Sequence, residues 1–428
     1  MDTIFAQATA TGRAGVSVIR VSGPQAFDIA SIFCDLPDVG QIGLRAVRGS
    51  DGALIDRAVV FCFENGASFT GERVVEFQVH GGLATVARLL SELSAQKGCR
   101  LAEPGEFTRR ALENGQLDLN QVEALSDLID AETESQRQQA IRVLDGSFGD
   151  AGERWRGKLL RAAALLEASI DFSDEEIPDD LSVEVIHLVE ETRASISAIL
   201  ERSTVAAKIR TGFTVAIIGA PNVGKSTLLN SIVGRQAAIT SDVAGTTRDV
   251  IECRVDLQGL AVSFLDTAGL RDSKDEIEKL GISKAYEMAD AADIRVFLIE
   301  EEGEPLAITM RDGDIVRLNK GDERGLDVEA VSGKTGQGVS ELLNLIAERL
   351  AVKTPTDVVA IRERQITGLR AAESFLGRVL TLVQSDPLPF ELASQELYFA
   401  LSELDFVFGR IDIESVLDEI FSSFCLGK

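Results

Sequence analysis

FTVAIIGAPNVGKSTLLNSIV, residues 213–233, leaves this chain little choice of local fold. An apolar run of strand length meets a glycine-containing turn, and a helix-forming run follows at once. Gly219, Gly224, Lys225 and Ser226 fit G-x-x-x-x-G-K-[ST] in the strand–loop–helix context the motif requires. The glycines let backbone amides turn toward phosphate, Lys225 neutralises the outer phosphates, and Ser226 offers a hydroxyl to Mg2+. The helix N-terminus adds its partial positive charge. Further apolar runs, VSFLDTAG, IRVFLIE, DIVRLNK and VEAVSG, alternate with helical ones to about residue 352. Buried parallel strands of a doubly wound α/β domain read this way.

Three further elements follow in order: GTTRD (245–249), DTAG (266–269) and NKGD (319–322). Thr247 is the expected second hydroxyl on Mg2+, and Asp266, at a strand end, faces the metal's water shell. Asn319, Lys320 and Asp322 form N-K-x-D, where a carboxylate accepts from guanine N1–H and the exocyclic amine. Adenine lacks that donor pair, so the nucleotide is expected to be GTP. SGKTGQG (332–338) is expected to close over the base, with Gly333 where alanine is more usual. The expected nucleotide contacts are Asn222, Val223, Gly224, Lys225, Ser226 and Thr227 in the first loop and Ser241, Asp242, Val243, Ala244, Gly245, Thr246 and Thr247 in the second. Asp266, Thr267, Ala268 and Gly269 follow, and Asn319, Lys320, Asp322, Ser332, Gly333 and Lys334 frame the base. Three departures stand out, the first being that SGK follows NKGD abruptly, a trim on the base side of the pocket. Leu270 occupies the place of the water-orienting glutamine of Ras-type enzymes, and it forms no hydrogen bonds. Between IRVFLIE and DIVRLNK lies only EEGEPLAITMRDG, too short for a full crossover helix.

The remainder is organised around this unit. GVSVIRVSG (15–23) and RVVEFQVHGG (73–82) alternate with period two, as half-buried strands do, with Arg20 and Glu76 on their polar faces. EPGEFTRRALENG reads as a short helix opening near Pro104 and closing at Gly115. From about 118 the pattern is helical; Asp118 and Gln121 are spaced as a cap before a stripe of Leu119, Val122, Leu125, Leu128 and Ile129. DFSDEEIPDD reads as a solvated inter-helix loop. The fold class expected is multidomain, α+β and α/β: residues 1–116, a helical part over 117–208, the α/β unit at 209–353, and a second helical part over 354–428.

Composition narrows the partners. A net charge of -26 repels phosphate backbones on average, so any RNA must be met by a local basic patch or through another protein. Five scattered cysteines without a CxxC pair argue against disulfides and zinc, and favour a cytoplasmic setting. Two histidines exclude a His-rich metal site. No signal-peptide pattern and no apolar run of about 18 residues appear, so no membrane contact is expected.

DTIFAQAT, GRAGVSVIRVSG, EPGEFTRRALENGQLDLNQVEAL, GAPNVGKSTLLN, AGTTRD, DTAGLRDSKDEIEKLGI and the terminal SSFCLGK together resemble the MnmE (TrmE) family, GTPases of tRNA wobble-uridine modification. The resemblance runs from end to end. It implies an N-terminal folate-binding-like dimerisation domain, a helical domain built from the middle and the C-terminus, and an inserted Ras-like domain. It also implies hydrolysis aided by K+ between paired G domains, with Asn222 as a ligand and Ser241, Val243 and Thr246 completing the cage. Asn222 alone is as readily an ordinary loop residue; beside GTTRD and Glu278 the potassium reading is preferred. Glu278 then positions the water and, with Lys225, is the implied catalytic residue. The resemblance further implies a tetrahydrofolate donor (5-formyl or 5,10-methylene) at Arg20, Glu76, Gln116 and Lys428, although lysine is common in the family where Gln116 stands. Its implied partners are tRNA and an MnmG (GidA)-type FAD protein, joined to the homodimer as a heterotetramer. The implied product carries a (carboxymethyl)aminomethyl-type group on carbon 5 of the wobble uridine. A ribosome-assembly GTPase switch is the alternative, and it predicts a GXXG module or a basic appendage that the sequence lacks. A folate one-carbon transferase with a regulatory GTPase is a third reading. Cys425 has only Lys428 nearby to lower its pKa, so the tail is expected to position ligand rather than to attack it.

Overall fold

A computed structural model describes residues 2–171, 180–236, 251–266, 287–306, 308–320, 322, 329–352, 362–411, 421 and 427. They fall into two compact units: residues 1–126 with 149–153 and 401–428, and residues 127–148 with 154–400.

In the first unit β1 (Thr3–Gln7), β2 (Ala14–Ser22), β3 (Ile42–Arg48), β4 (Leu54–Phe63), β5 (Val74–Gly81) and β6 (Cys99–Leu101) form one sheet. Its order is β3-β4-β5-β2-β1-β6, antiparallel except for the β1–β6 pair. The period-two pattern sets the two faces. Ile19, Val21, Phe77 and Val79 turn into a core with Phe5, Phe33 and Leu89, supplied in part by α1 (Ala26–Ser31) and α2 (Leu83–Ser94). Arg20 and Glu76 point the other way and stand opposite each other in the β2–β5 register. The helix α3 (Glu106–Glu113) follows Gly105, whose φ of 71° suits glycine, and Phe107 joins Ile4 and Ala6 in a second apolar cluster.

The helices start where side chains can satisfy free amides. Asp118 and Gln121 bond each other's backbone N–H (2.8 and 2.9 Å) and so open α4 (Leu119–Ile129). Thr133 and Gln136 form the same reciprocal box at α5 (Glu134–Leu144). In the second unit α6 (Ser147–Asp171) and α7 (Asp180–Thr211) are joined by Trp155 Nε1 donating to Ser195 Oγ at 3.0 Å. α7 bonds α10 (Glu363–Val383) through Ser197 and Glu373, and α11 (Phe390–Val407) meets α10 through Arg378–Glu396 at 2.7 Å. The acidic loop expected over DFSDEEIPDD lies mostly outside the described residues, as does most of the final helical pattern, in which Phe421 is buried.

The second sheet contains β7 (Phe213–Ile218), β8 (Ile251–Leu257), β9 (Leu260–Asp266), β10 (Ile294–Ile299) and β11 (Ile315–Leu318) in the order β11-β10-β7-β9-β8. All neighbours are parallel except β8 and β9. Val215, Ile217, Phe264, Val296 and Leu298 share a core with α8 (Lys225–Arg235) and α9 (Val339–Val352). Two features depart from the sequence pattern. β8 carries Glu252, Arg254 and Asp256 and is not marked by an apolar run; VEAVSG contributes only a single parallel bridge, Leu318–Ala330. Between β10 and β11 no helix occurs among the described residues, and a buried Arg295–Asp314 pair (2.6 Å) fills space on that side.

Candidate functional site: a nucleotide pocket and a half-buried sheet face

The loop 219–224 leaves the buried C-terminal end of β7 and enters α8 at Lys225. Its geometry rests on two left-handed residues, Asn222 (φ 64°) and Gly224 (φ 99°). Asparagine tolerates that conformation better than most side chains. At 224 a Cβ would come within 2.6 Å of the Asn319 amide nitrogen, so glycine is required twice over. The same Asn319 amide donates to the Val223 carbonyl and so ties the β11 end to the phosphate loop.

Lys225 is buried, and its Nζ donates to the carbonyls of Gly219 (2.8 Å) and Ala220 (2.9 Å). Burial pulls its pKa below the usual lysine value, against the opposing pull of Asp266. Ser226 Oγ donates to Asp266 Oδ2 at 2.5 Å. A hydroxyl and a carboxylate side by side at a helix N-terminus are hard oxygen donors, and they suit Mg2+.

On the base side, Lys320 (φ 57°) reaches Glu300 at 3.2 Å. Asp322 is exposed, and a hydrogen bond with Ser332, then the charge of Lys334, holds its carboxyl below the usual range. The fold thus gathers Asp322, Ser332 and Lys334. A Cβ at Gly333 would lie 2.6 Å from Leu228 N and from the Thr227 carbonyl carbon, so this turn rests on the first turn of α8. That contact gives a physical reason for glycine where alanine is more usual.

In the other unit the Arg20 guanidinium bonds Glu76 at 2.8 Å, each side chain being under one-fifth exposed. It also stacks against Phe69 and Phe107, with centroid distances of 5.2 and 5.4 Å. Neither ring was marked by a sequence pattern, since the pairing comes from tertiary approach. Gln116 is exposed and adjoins Gly71. Gly427 is buried with φ 95°, and a Cβ there would clash with the Gln7 carbonyl; Ala6, one residue back, is the β-ladder partner of Arg20. Gly427 therefore lies against β1, the strand paired with the one that carries Arg20. Ser241, Asp242, Val243, Ala244, Gly245, Thr246, Thr247, Thr267, Ala268, Gly269, Glu278, Cys425 and Lys428 lie outside the described residues.

Comparison with known proteins identifies the family of the chain. Residues 119–425 match the model described as the MnmE helical domain, and residues 3–116 match that of the GTP-binding protein TrmE N-terminus. A "tRNA modification GTPase MnmE" from Ruegeria pomeroyi is 52% identical over 430 residues, with 100% of both chains covered. Relatives of the same name from Ruegeria sp. (51%) and Roseobacter denitrificans (52%) also match over the full length of both chains. With a family model matched over more than half of its length and full-length likeness of this degree, the chain belongs to the MnmE (TrmE) family, the tRNA modification GTPases.

Proposed function

We propose that this chain is a K+-activated GTPase whose hydrolysis serves folate-dependent addition of a (carboxymethyl)aminomethyl-type group to carbon 5 of the tRNA wobble uridine. An MnmG-type flavoprotein is the proposed partner, bound to a homodimer of this chain. The observation that carries the folate half is the Arg20–Glu76 pair beside Phe69 and Phe107. Aromatic rings suit a pterin, and a guanidinium beside a carboxylate suits a ligand bearing both an anionic tail and ring N–H donors.

In the nucleotide pocket Ser226 and Asp266 are the residues that would hold Mg2+, which when bound neutralises charge between the outer phosphates. Lys225 would exchange its two carbonyl partners for phosphate oxygens. Its burial makes that exchange favourable, because a cation with only neutral acceptors gains most from an anion. Asp322 would accept from guanine, with Ser332 and Lys334 beside it. Leu270 takes no part, and Glu278 is proposed to orient the water. Asn222, already in a left-handed conformation that turns the loop, is the proposed potassium ligand.

The deciding experiment is nucleoside mass spectrometry of tRNA from a strain lacking this chain, complemented with the wild type or with Arg20→Ala. Wild type should restore the modified wobble uridine and Arg20→Ala should not. Full restoration by Arg20→Ala would remove the folate assignment.

A further inference from the structure

The β8–β9 hairpin has one end in the nucleotide pocket and the other on a helix. At the near end Ile251 is the ladder partner of Asp266, the residue that takes the Ser226 hydroxyl. The far end is a two-residue turn, Gln258 (φ 53°) and Gly259 (φ 87°), between the paired Leu257 and Leu260. Two successive positive φ values match the twist of a hairpin, and Asp256 Oδ1 accepts from Gly259 N at 2.7 Å. The paired strands span about 20 Å between this turn and Asp266.

At the far end polar contacts lie beside an apolar cluster in which Ala206 and Ile209 of α7 meet Leu257 and Leu260. Ser135 N, in the first turn of α5, donates to the Gly259 carbonyl at 3.2 Å. On β8, Arg254 Nε lies 2.8 Å from Glu132 Oε2, in the loop that enters α5, and its Nη2 donates to the Thr211 carbonyl at the end of α7. Both charged side chains are about one-third exposed. Gln136 and Gln139 of α5 donate to the Arg210 and Ala206 carbonyls, which ties α5 to the end of α7. A cavity of about 380 Å³ lined by Asp127, Asp130, Glu132, Gln136, Arg210 and Arg254 opens beside the ion pair.

We infer that Arg254 and Glu132 are positioning residues for GTP hydrolysis: their ion pair fixes the far end of the hairpin against α5, and through it sets the place of Asp266. The reading makes no use of potassium, folate or a flavoprotein, so failure of those assignments leaves it standing. Neither residue touches the nucleotide, so the effect should fall on turnover and spare binding.

The test is steady-state GTP hydrolysis by the full chain, for wild type, Glu132→Gln, Arg254→Met and the charge-reversed double variant Glu132→Arg/Arg254→Glu. Each single variant should lower kcat about three- to tenfold. KM should stay within about twofold and the double variant should recover most of kcat, as a restored pair predicts. Unchanged kcat in Glu132→Gln overturns the inference. So does a loss that the double variant fails to recover, or one that raises KM in step. Should Arg254→Met fail to fold, the neutral, nearly isosteric Glu132→Gln decides alone. A wild type that does not hydrolyse GTP refutes the GTPase reading itself, and that is seen before any variant is compared.

Discussion

Ser226 Oγ donates to Asp266 Oδ2 at 2.5 Å, which fastens the first turn of α8 to the end of β9. The two groups proposed to share a magnesium ion are thus brought together by the protein itself. Ser226→Ala removes one oxygen donor and leaves the Asp266 carboxylate in place. Hydrolysis should then need far more Mg2+ for half-maximal rate, and kcat should fall by about 10²-fold or more. A magnesium titration of both proteins checks this; superimposable curves would sink the assignment.

The cation reading of Asn222 is tested by changing the salt. At equal ionic strength, wild-type kcat should be higher in K+ than in Na+, and Asn222→Ala should lose that difference. Glu278→Ala should keep GTP affinity and lose about 10²- to 10⁴-fold in kcat, the range for a group acting on the attacking water. Equal wild-type rates in the two salts would remove the potassium proposal and leave the prediction for Glu278 untouched.

Gly333 offers a steric test of the base-side turn. A Cβ at this position would meet backbone atoms of Thr227 and Leu228, which cannot rotate away. Gly333→Ala should therefore cost about 1–3 kcal/mol of stability, as overpacking does. Because the displaced turn carries Ser332 and Lys334, KM for GTP should rise as well. A variant with unaltered melting temperature and KM would show that the turn relaxes freely.

Much of this was legible before the fold was known, and the reasons are local. The phosphate loop, β10 and β11 are each set by contiguous residues, and the capping pair Asp118–Gln121 acts over three positions. β8 escapes a reading by continuous apolar runs, because Glu252, Arg254 and Asp256 alternate with its apolar residues; Arg254 meets Glu132 far off in the chain, and Asp256 accepts from the Gly259 amide three residues on. The approach of Phe69 and Phe107 to Arg20 depends on residues far apart in sequence. The spacing of IRVFLIE and DIVRLNK excluded a helix between them, yet it gave no hint that a buried charge pair would stand there.

That pair, Arg295 and Asp314, is almost wholly enclosed, with side chains 2% and 1% exposed. Burial alone would raise the Asp314 pKa, but hydrogen bonds from Arg295 and from the Arg311 backbone bring it below the ordinary carboxylate value. A carboxyl with a depressed folded-state pKa stabilises the fold above its unfolded value, near 4, and that stability is lost as pH falls through the lower folded value. Asp314→Ala leaves the buried Arg295 guanidinium with only the exposed Asp290 and the Thr309 carbonyl and should cost about 3 kcal/mol, whereas Arg295→Met/Asp314→Leu should cost much less. Thermal melts at neutral pH and at pH values below about 4 measure both effects. Equal losses in the single and double variants would mean that the pair is not coupled.

The last prediction concerns the chain end. Gly427 sits against Gln7 of β1, and the neighbouring Ala6 pairs with Arg20 of β2, so this residue lies against the strand next to the one that carries Arg20. A chain end is ordinarily frayed and tolerant of truncation. Here the left-handed φ of 95° and the close carbonyl make glycine at 427 the residue that fits, which an unconstrained end would not require. Deleting residues 425–428 should leave GTP turnover within about twofold, because no part of the nucleotide pocket is removed. The same deletion should abolish tRNA modification and weaken binding of 5-formyl- or 5,10-methylene-tetrahydrofolate. Cys425→Ser should be milder, since the proposed role is positioning and not attack by the thiol. Gly427→Val separates the two ideas: it keeps the length of the tail but cannot adopt its turn, and it should resemble the deletion. Normal wobble-uridine levels in the truncated strain would show that the tail has no part in the chemistry.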